Sequence, residues 1–94
     1  MSRAEWTVEA RADLAAIDDH YQPLNADFTV RLGHALLDAA RFLAANPRIG
    51  TPLPLGTRKW RVSGFDYVLV YRERGQGVEI LRVHHVRQNW RPEP

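Results

Sequence analysis

The stretch Trp60-Arg61-Val62-Ser63-Gly64-Phe65-Asp66-Tyr67-Val68-Leu69-Val70-Tyr71-Arg72-Glu73-Arg74-Gly75-Gln76-Gly77-Val78-Glu79-Ile80-Leu81-Arg82-Val83-His84-His85 decides the fold. Val, Ile, Tyr, Trp and Phe dominate three runs within it, and such residues suit a pleated, half-buried surface. Gly64 and Asp66 separate the first run from the second. Gly75 and Gly77 separate the second from the third, in a loop of hairpin length able to take positive φ. The stretch reads as a small antiparallel meander on which the rest of the chain packs. Its middle run, Tyr67–Arg72, is apolar on both faces, which predicts a central strand covered on both sides. Alternation sends Trp60 and Val62 one way and Arg61 the other. On the last run Arg82 and His84 share one face, while His85 joins Leu81 and Val83 on the opposite one.

Two helices precede the meander. Thr7 reads as an N-cap, with Glu9 in the first turn at the positive end of the helix dipole. Ala10, Leu14, Ile17 and Tyr21 then fall on one apolar face. Pro23 ends this helix or opens the next. Phe28, Leu32, Ala35, Leu36, Ala39, Phe42 and Leu43 form the stripe of a second, longer helix. Asn25 or Asp27 caps its start, and Asn46-Pro47 stops it. The short connection makes the pair a helical hairpin. Residues 3–6 read as a short strand anchored by Trp6. Residues 47–57, with three prolines and two glycines, read as an ordered loop pinned by Ile49, Leu53 and Leu55.

Ninety-four residues leave room for one domain, 1–94. Hydrophobic content of 45% and charged content of 26% argue against disorder. Cysteine is absent, which excludes a disulfide scaffold and a thiolate metal site and fits a reducing compartment. No apolar run is long enough to span a bilayer, and Met1–Trp6 carries no apolar signal segment. A soluble, cytoplasmic protein is expected. Net charge is +2, unevenly placed: residues 1–46 hold four Lys/Arg against seven Asp/Glu, and residues 47–94 hold nine against four. A basic sheet half suits an acidic partner or a polyanion, against the plainer alternative of a solvated face. Adjacent His84 and His85 point to opposite faces, so they cannot jointly hold a metal. His20 and His34 sit on helices and are expected at the surface. With no Gly-rich phosphate loop, no Ser/His/Asp arrangement and no carboxylate cluster, no cofactor or metal is expected.

Trp6-Thr7, Ala10-Arg11-Ala12-Asp13-Leu14, Ile17 and Tyr21, Asn46-Pro47 with Gly50, Arg61-Val62, Val68-Leu69-Val70-Tyr71-Arg72, Val78–His85 and Arg87-Gln88 together carry a resemblance. In this order and spacing they are similar to the ParE/RelE superfamily of toxins from type II toxin–antitoxin modules. The resemblance covers nearly the whole chain. It implies an α+β fold, a helical hairpin packed on a small antiparallel β-sheet, which the patterning also gives. It further implies a growth-inhibiting toxin of a plasmid-stabilisation module, neutralised in a hetero-oligomer with a cognate antitoxin.

The superfamily divides by target. RelE-like members resemble ribosome-dependent mRNA endonucleases, with Lys and Arg on the sheet, an Arg before the Leu-Val-Tyr of the central strand, and an Arg with a Tyr near the C-terminus. ParE-like members lack that set and are associated with poisoning DNA gyrase. Here Lys59 and Arg61 fall where the sheet cations would be. Val68 stands in place of the Arg, however, and no Tyr follows Tyr71. The resemblance therefore favours a ParE-like gyrase inhibitor that acts by binding rather than as an enzyme. Its target-binding residues would be Lys59, Arg61, Arg82, His84, Arg87 and Trp90. Arg82 and His84 are expected as exposed contacts, and His85 in a hydrogen-bonded structural role. Trp90 would stack on a base or fill a partner's groove, or else cap the sheet edge. In the alternative, a RelE-like enzyme acting on the ribosome and mRNA, Arg61, Arg82, His84 and Arg87 would be catalytic. A histidine would then serve as base or acid and the guanidiniums would hold the phosphate.

Overall fold

Both helix starts follow from their caps. In the computed structural model, which describes residues 3–87, Thr7 Oγ1 accepts from the Ala10 N–H at 3.0 Å and opens α1, Val8–Tyr21. Asn25 Oδ1 accepts from the Phe28 N–H at 3.0 Å and opens α2, Ala26–Ala45. Of the two candidate caps, Asn25 is therefore the one used, and Asp27 sits in the first turn. Pro23 lies in the turn between the helices. The second helix ends where the Asn46 N–H reaches back to the Phe42 and Leu43 carbonyls, just ahead of Pro47.

The strands are β1 Ala4–Trp6, β2 Thr51–Leu53, β3 Thr57–Arg61, β4 Tyr67–Arg74 and β5 Gly77–His85. They form one sheet in the order β1-β5-β4-β3-β2. The expected antiparallel meander is β3-β4-β5, and its hairpin turns through Gly75 at φ +58. Two additions change the picture. β1 pairs in parallel with β5, Ala4 opposite Val78 and Trp6 opposite Ile80, so the sheet is mixed rather than purely antiparallel. The expected loop 47–57 also contains β2, with Thr51 opposite Lys59 and Leu53 opposite Thr57 across a tight turn at Pro54–Gly56. Pro52 is tolerated because β2 is an edge strand, where a missing N–H costs no ladder bond on the open side.

A β-bulge shapes the β4–β5 pairing. Val70 lies opposite Arg82 but Tyr71 lies opposite Ile80, which leaves Leu81 as the extra residue. Simple alternation on β5 therefore fails at this point, and Ile80 and Val83, an odd number of residues apart, both reach the helix-facing core. That core joins Leu32, Leu36 and Leu43 of α2 and Ala10 of α1 to Leu69, Tyr71, Val78, Ile80 and Val83 of the sheet. Each fully buried Leu, Ile or Val contributes about 1.5–3 kcal/mol. Trp60 packs against this cluster, and its ring lies 5.5 Å from that of Phe42.

Polar bonds tie the connections to the core. Tyr71 is fully buried, and its hydroxyl accepts from the Gly50 N–H at 2.9 Å and donates to the Pro47 carbonyl at 2.8 Å. The Arg58 guanidinium donates to the carbonyls of Arg48 and Gly50. On the other side of the sheet, β1 stops opposite Ile80 and the β5 edge passes to α1. The Thr7 N–H donates to the Ile80 carbonyl, Thr7 Oγ1 donates to the Leu81 carbonyl, and an Asp13 carboxylate oxygen accepts from the Val83 N–H at 2.8 Å. Edge backbone groups that would otherwise lie open are closed by the start of α1.

Candidate functional site

Strand register decides which side chains share the face turned away from the helices. Lys59, Val70 and Arg82 lie opposite one another in one row, and Arg61, Val68 and His84 in the next. Arg72 and Glu79 form a third row, extended to Glu5 of β1. Four of the sequence-predicted residues, Lys59, Arg61, Arg82 and His84, are thus brought to one sheet face. Val68 and Val70 form an apolar centre between the cations, both buried and both outside the helix-facing core. A shallow depression of about 540 Å³ opens beside them, lined by Thr51, Lys59, Trp60, Arg61, Val68 and Val86.

The cations differ in how far they are committed. Lys59 is exposed and has no ion-pair partner among the described residues. Arg61 is exposed and donates to Asp66 at 2.8 Å. Arg72 and Arg74 share one carboxylate, that of Glu79, and Glu5 extends the same row. Arg82 is more strongly held. Its Nε and one terminal nitrogen take both oxygens of Asp13, at 2.8 and 3.0 Å. Burial pushes the Asp13 pKa up, but the hydrogen bonds from Arg82 and the Val83 N–H, with the charges of Arg82 and His84, outweigh it and hold the carboxyl below its ordinary range. The same pairing raises the Arg82 pKa.

His84 corrects an expectation. It was expected as an exposed contact, and it is only 8% exposed. Its row places it across from Val68 of β4, beyond the end of the β1 pairing. His85 keeps the structural role read from the sequence: its ring stands edge-on to Tyr67 at 5.2 Å, and its Nδ1 accepts from the Arg87 N–H. Arg87 is exposed in the turn after β5. Trp90 lies outside the described residues. Among the described residues, no group of three His, Cys, Asp or Glu side chains is placed to hold a metal, and no helix is long and apolar enough to cross a membrane.

The sequence reading passed over Asp13, although the residue carried a signal. It falls three residues after Ala10 and four before Ile17, so it is a carboxylate on the buried stripe of α1 and must find partners there. The reading also passed over Arg72 and Arg74, whose place on the cationic face follows from alternation with Val70.

A second surface lies on the helical side. An apolar groove of about 400 Å³ runs between α1 and α2, lined chiefly by Trp6, Leu14, Ile17, Leu32, Leu36 and Leu37, with Asp18 at its margin. The molecule therefore carries two separate surfaces, one rich in cations and one apolar with an acidic margin.

The sequence pattern of the family described as ParE toxin of type II toxin–antitoxin system, parDE, matches residues 4–90. Among solved structures, one described as a chromosomal ParDE TA system from P. aeruginosa superposes with a TM-score of 0.77 at 28% sequence identity, covering 90% of this chain and 96% of that one. No curated protein sequence matches the chain. The match over residues 4–90, together with two helices on a five-stranded sheet like that of the ParDE structure, places the chain in the family of ParE toxins of type II toxin–antitoxin systems.

Proposed function

We propose that this ParE-family toxin inhibits DNA gyrase by protein binding through the cationic sheet face, and that a cognate antitoxin neutralises it by laying an amphipathic helix in the apolar groove between α1 and α2. The observation that carries the target reading is the register that sets Lys59, Arg61 and Arg72 around Val68 and Val70. The exposed cations on this face steer encounter with an acidic partner. The groove suits the helix-in-groove mode, in which one face of a partner helix supplies the missing apolar cover.

Supercoiling by purified gyrase tests the target. Added protein should inhibit supercoiling or leave cleaved DNA, and Lys59→Glu with Arg61→Glu should abolish the effect. Undiminished supercoiling with no cleaved DNA counts against the reading. Two features support binding over RNA cleavage. Arg82 is committed to Asp13, and His84 is buried rather than presented to solvent. Toeprinting on translating ribosomes separates the two: codon-specific cuts that vanish in His84→Ala would reverse the ranking.

A further inference from the structure

Gly33 occupies the middle of α2, where glycine is among the least favourable residues for a helix. Among the described residues nothing requires it there, since a Cβ built at Gly33 would meet no atom within 4 Å beyond its own helix backbone and chain neighbours. The position instead lines the apolar groove, facing the side of Leu14 and Trp6. Val30 and Leu37, one turn to either side on the same helix face, are 54% and 44% exposed. The three residues form an open apolar stripe with a notch at its centre. A helix crossing such a stripe approaches most closely where the side chain is missing, because interaxial distance is set by the side chains at the contact.

We infer that Gly33 is the notch that receives one large apolar side chain of the antitoxin helix, and so determines which antitoxin the toxin accepts. The inference rests on the antitoxin reading above and adds a residue and a steric rule to it. Charge favours the antitoxin over a second copy of this chain as occupant. Residues 1–46 hold seven acidic against four basic side chains, and Asp18 stands at the groove margin. Two such surfaces repel each other, whereas a partner helix with basic flanks is attracted.

The test measures binding of the full chain and its Gly33→Ala and Gly33→Leu variants to the full-length product of the adjoining antitoxin reading frame. Gly33→Leu should weaken binding by roughly 10- to 100-fold through overpacking, and Gly33→Ala by less. Both should melt no lower than wild type, since each is the better helix former. Growth inhibition without antitoxin should be unchanged. An alanine scan of the antitoxin helix should find one apolar position whose truncation weakens the wild-type pair and restores affinity to Gly33→Leu. Equal binding by wild type and Gly33→Leu, or rescue at no position, overturns the notch while leaving the antitoxin reading standing. A wild-type chain that fails to bind the antitoxin overturns both. A toxin dimer in sedimentation that Gly33→Leu dissociates assigns the groove to a second copy and overturns the proposal.

Discussion

Asp13 and Val83 are 70 residues apart in sequence, and the Asp13 carboxylate accepts the Val83 amide at 2.8 Å while its two oxygens also hold Arg82. A helix side chain thus completes the β5 edge where β1 ends. Removing it leaves the part-buried Val83 N–H without its acceptor, which costs about 1–3 kcal/mol. The Arg82 pair adds less, because that guanidinium is half exposed and screened. Asp13→Ala should therefore lose about 2 kcal/mol at pH 7 in urea unfolding, and Asp13→Asn less, since an amide oxygen still accepts. The Asp13 pKa is depressed in the folded state, so the unfolded chain binds more protons between that value and the ordinary value of about 3.9. The stabilisation is full above that range and lost as pH falls through the folded pKa. The gap between wild type and Asp13→Ala should shrink as the pH is lowered from 5 toward 2 (roughly the range over which a paired carboxylate protonates). A gap that stays constant would rule out the ionic account.

Thr7 serves two elements with one hydroxyl, capping α1 through the Ala10 N–H and donating to the Leu81 carbonyl of β5. Thr7→Val keeps the shape and removes both bonds, at a cost of about 1–2 kcal/mol. Thr7→Ser should retain most of the stability. In hydrogen exchange the Ala10 amide should lose protection in Thr7→Val and keep it in Thr7→Ser. Equal protection in the two variants would show that the hydroxyl does not carry the junction.

Tyr71 and Gly50 form a pair that should be non-additive. Tyr71→Phe strands the Gly50 N–H and the Pro47 carbonyl, for about 2–3 kcal/mol. In Gly50→Ala the new Cβ would stand 2.5 Å from the Tyr71 hydroxyl and 2.7 Å from the Lys59 carbonyl oxygen. The backbone carbonyl cannot swing away, so the single substitution should be at least as damaging. Removing the hydroxyl relieves the shortest of three overlaps, leaving the Lys59 oxygen and the Tyr71 ring carbon Cε1 at 2.8 Å. The double variant should therefore lose less than the sum of the singles in a denaturation cycle, by about 0.5–3 kcal/mol. Strict additivity would mean that the two groups do not act on each other.

How much of this the sequence disclosed depended on whether local pattern or pairing decided the outcome. Thr7, Asn25, the two apolar stripes and the β3-β4-β5 order were legible, because caps, helical period and turn residues are local. The face shared by Lys59 and Arg61 was legible because alternation runs unbroken through β3. His84 was placed on the right face, beside Arg82, but its burial was not legible, since alternation gives a face and not the cover over it. β2 was read as loop because Pro52 and Pro54 are strand breakers anywhere but at an edge, and edge position is a property of the whole sheet. β1 is three residues long, too short for alternation to say whether its partner runs parallel or antiparallel. The notch at Gly33 escaped the reading because a helix pattern records the residues that fill space rather than the space one leaves open.

Leu55 sits in the turn between β2 and β3 at φ 66°, ψ 28°, in the left-handed region, with its side chain 73% exposed. Steric conflict between Cβ and the neighbouring carbonyl makes this conformation cost an L-residue about 1–2 kcal/mol. So exposed a side chain recovers little by burial, and the following Gly56, at φ 73°, shows that the chain needs two successive left-handed residues here. Leu55→Gly removes the conflict but adds unfolded-state freedom worth about 0.5–1 kcal/mol, so its net gain should be small. Leu55→Asn should gain more, since Asn tolerates the left-handed region without the full entropic penalty of glycine. Leu55→Val should lose stability, because a β-branched residue is most hindered there. Calorimetry should rank the melting temperatures Asn, Gly, Leu, Val from highest to lowest, with about 4–8 °C for each kcal/mol. If Asn and Gly melt no higher than Leu, then the Leu55 side chain recovers in contacts what its backbone costs, and its exposure does not describe its role.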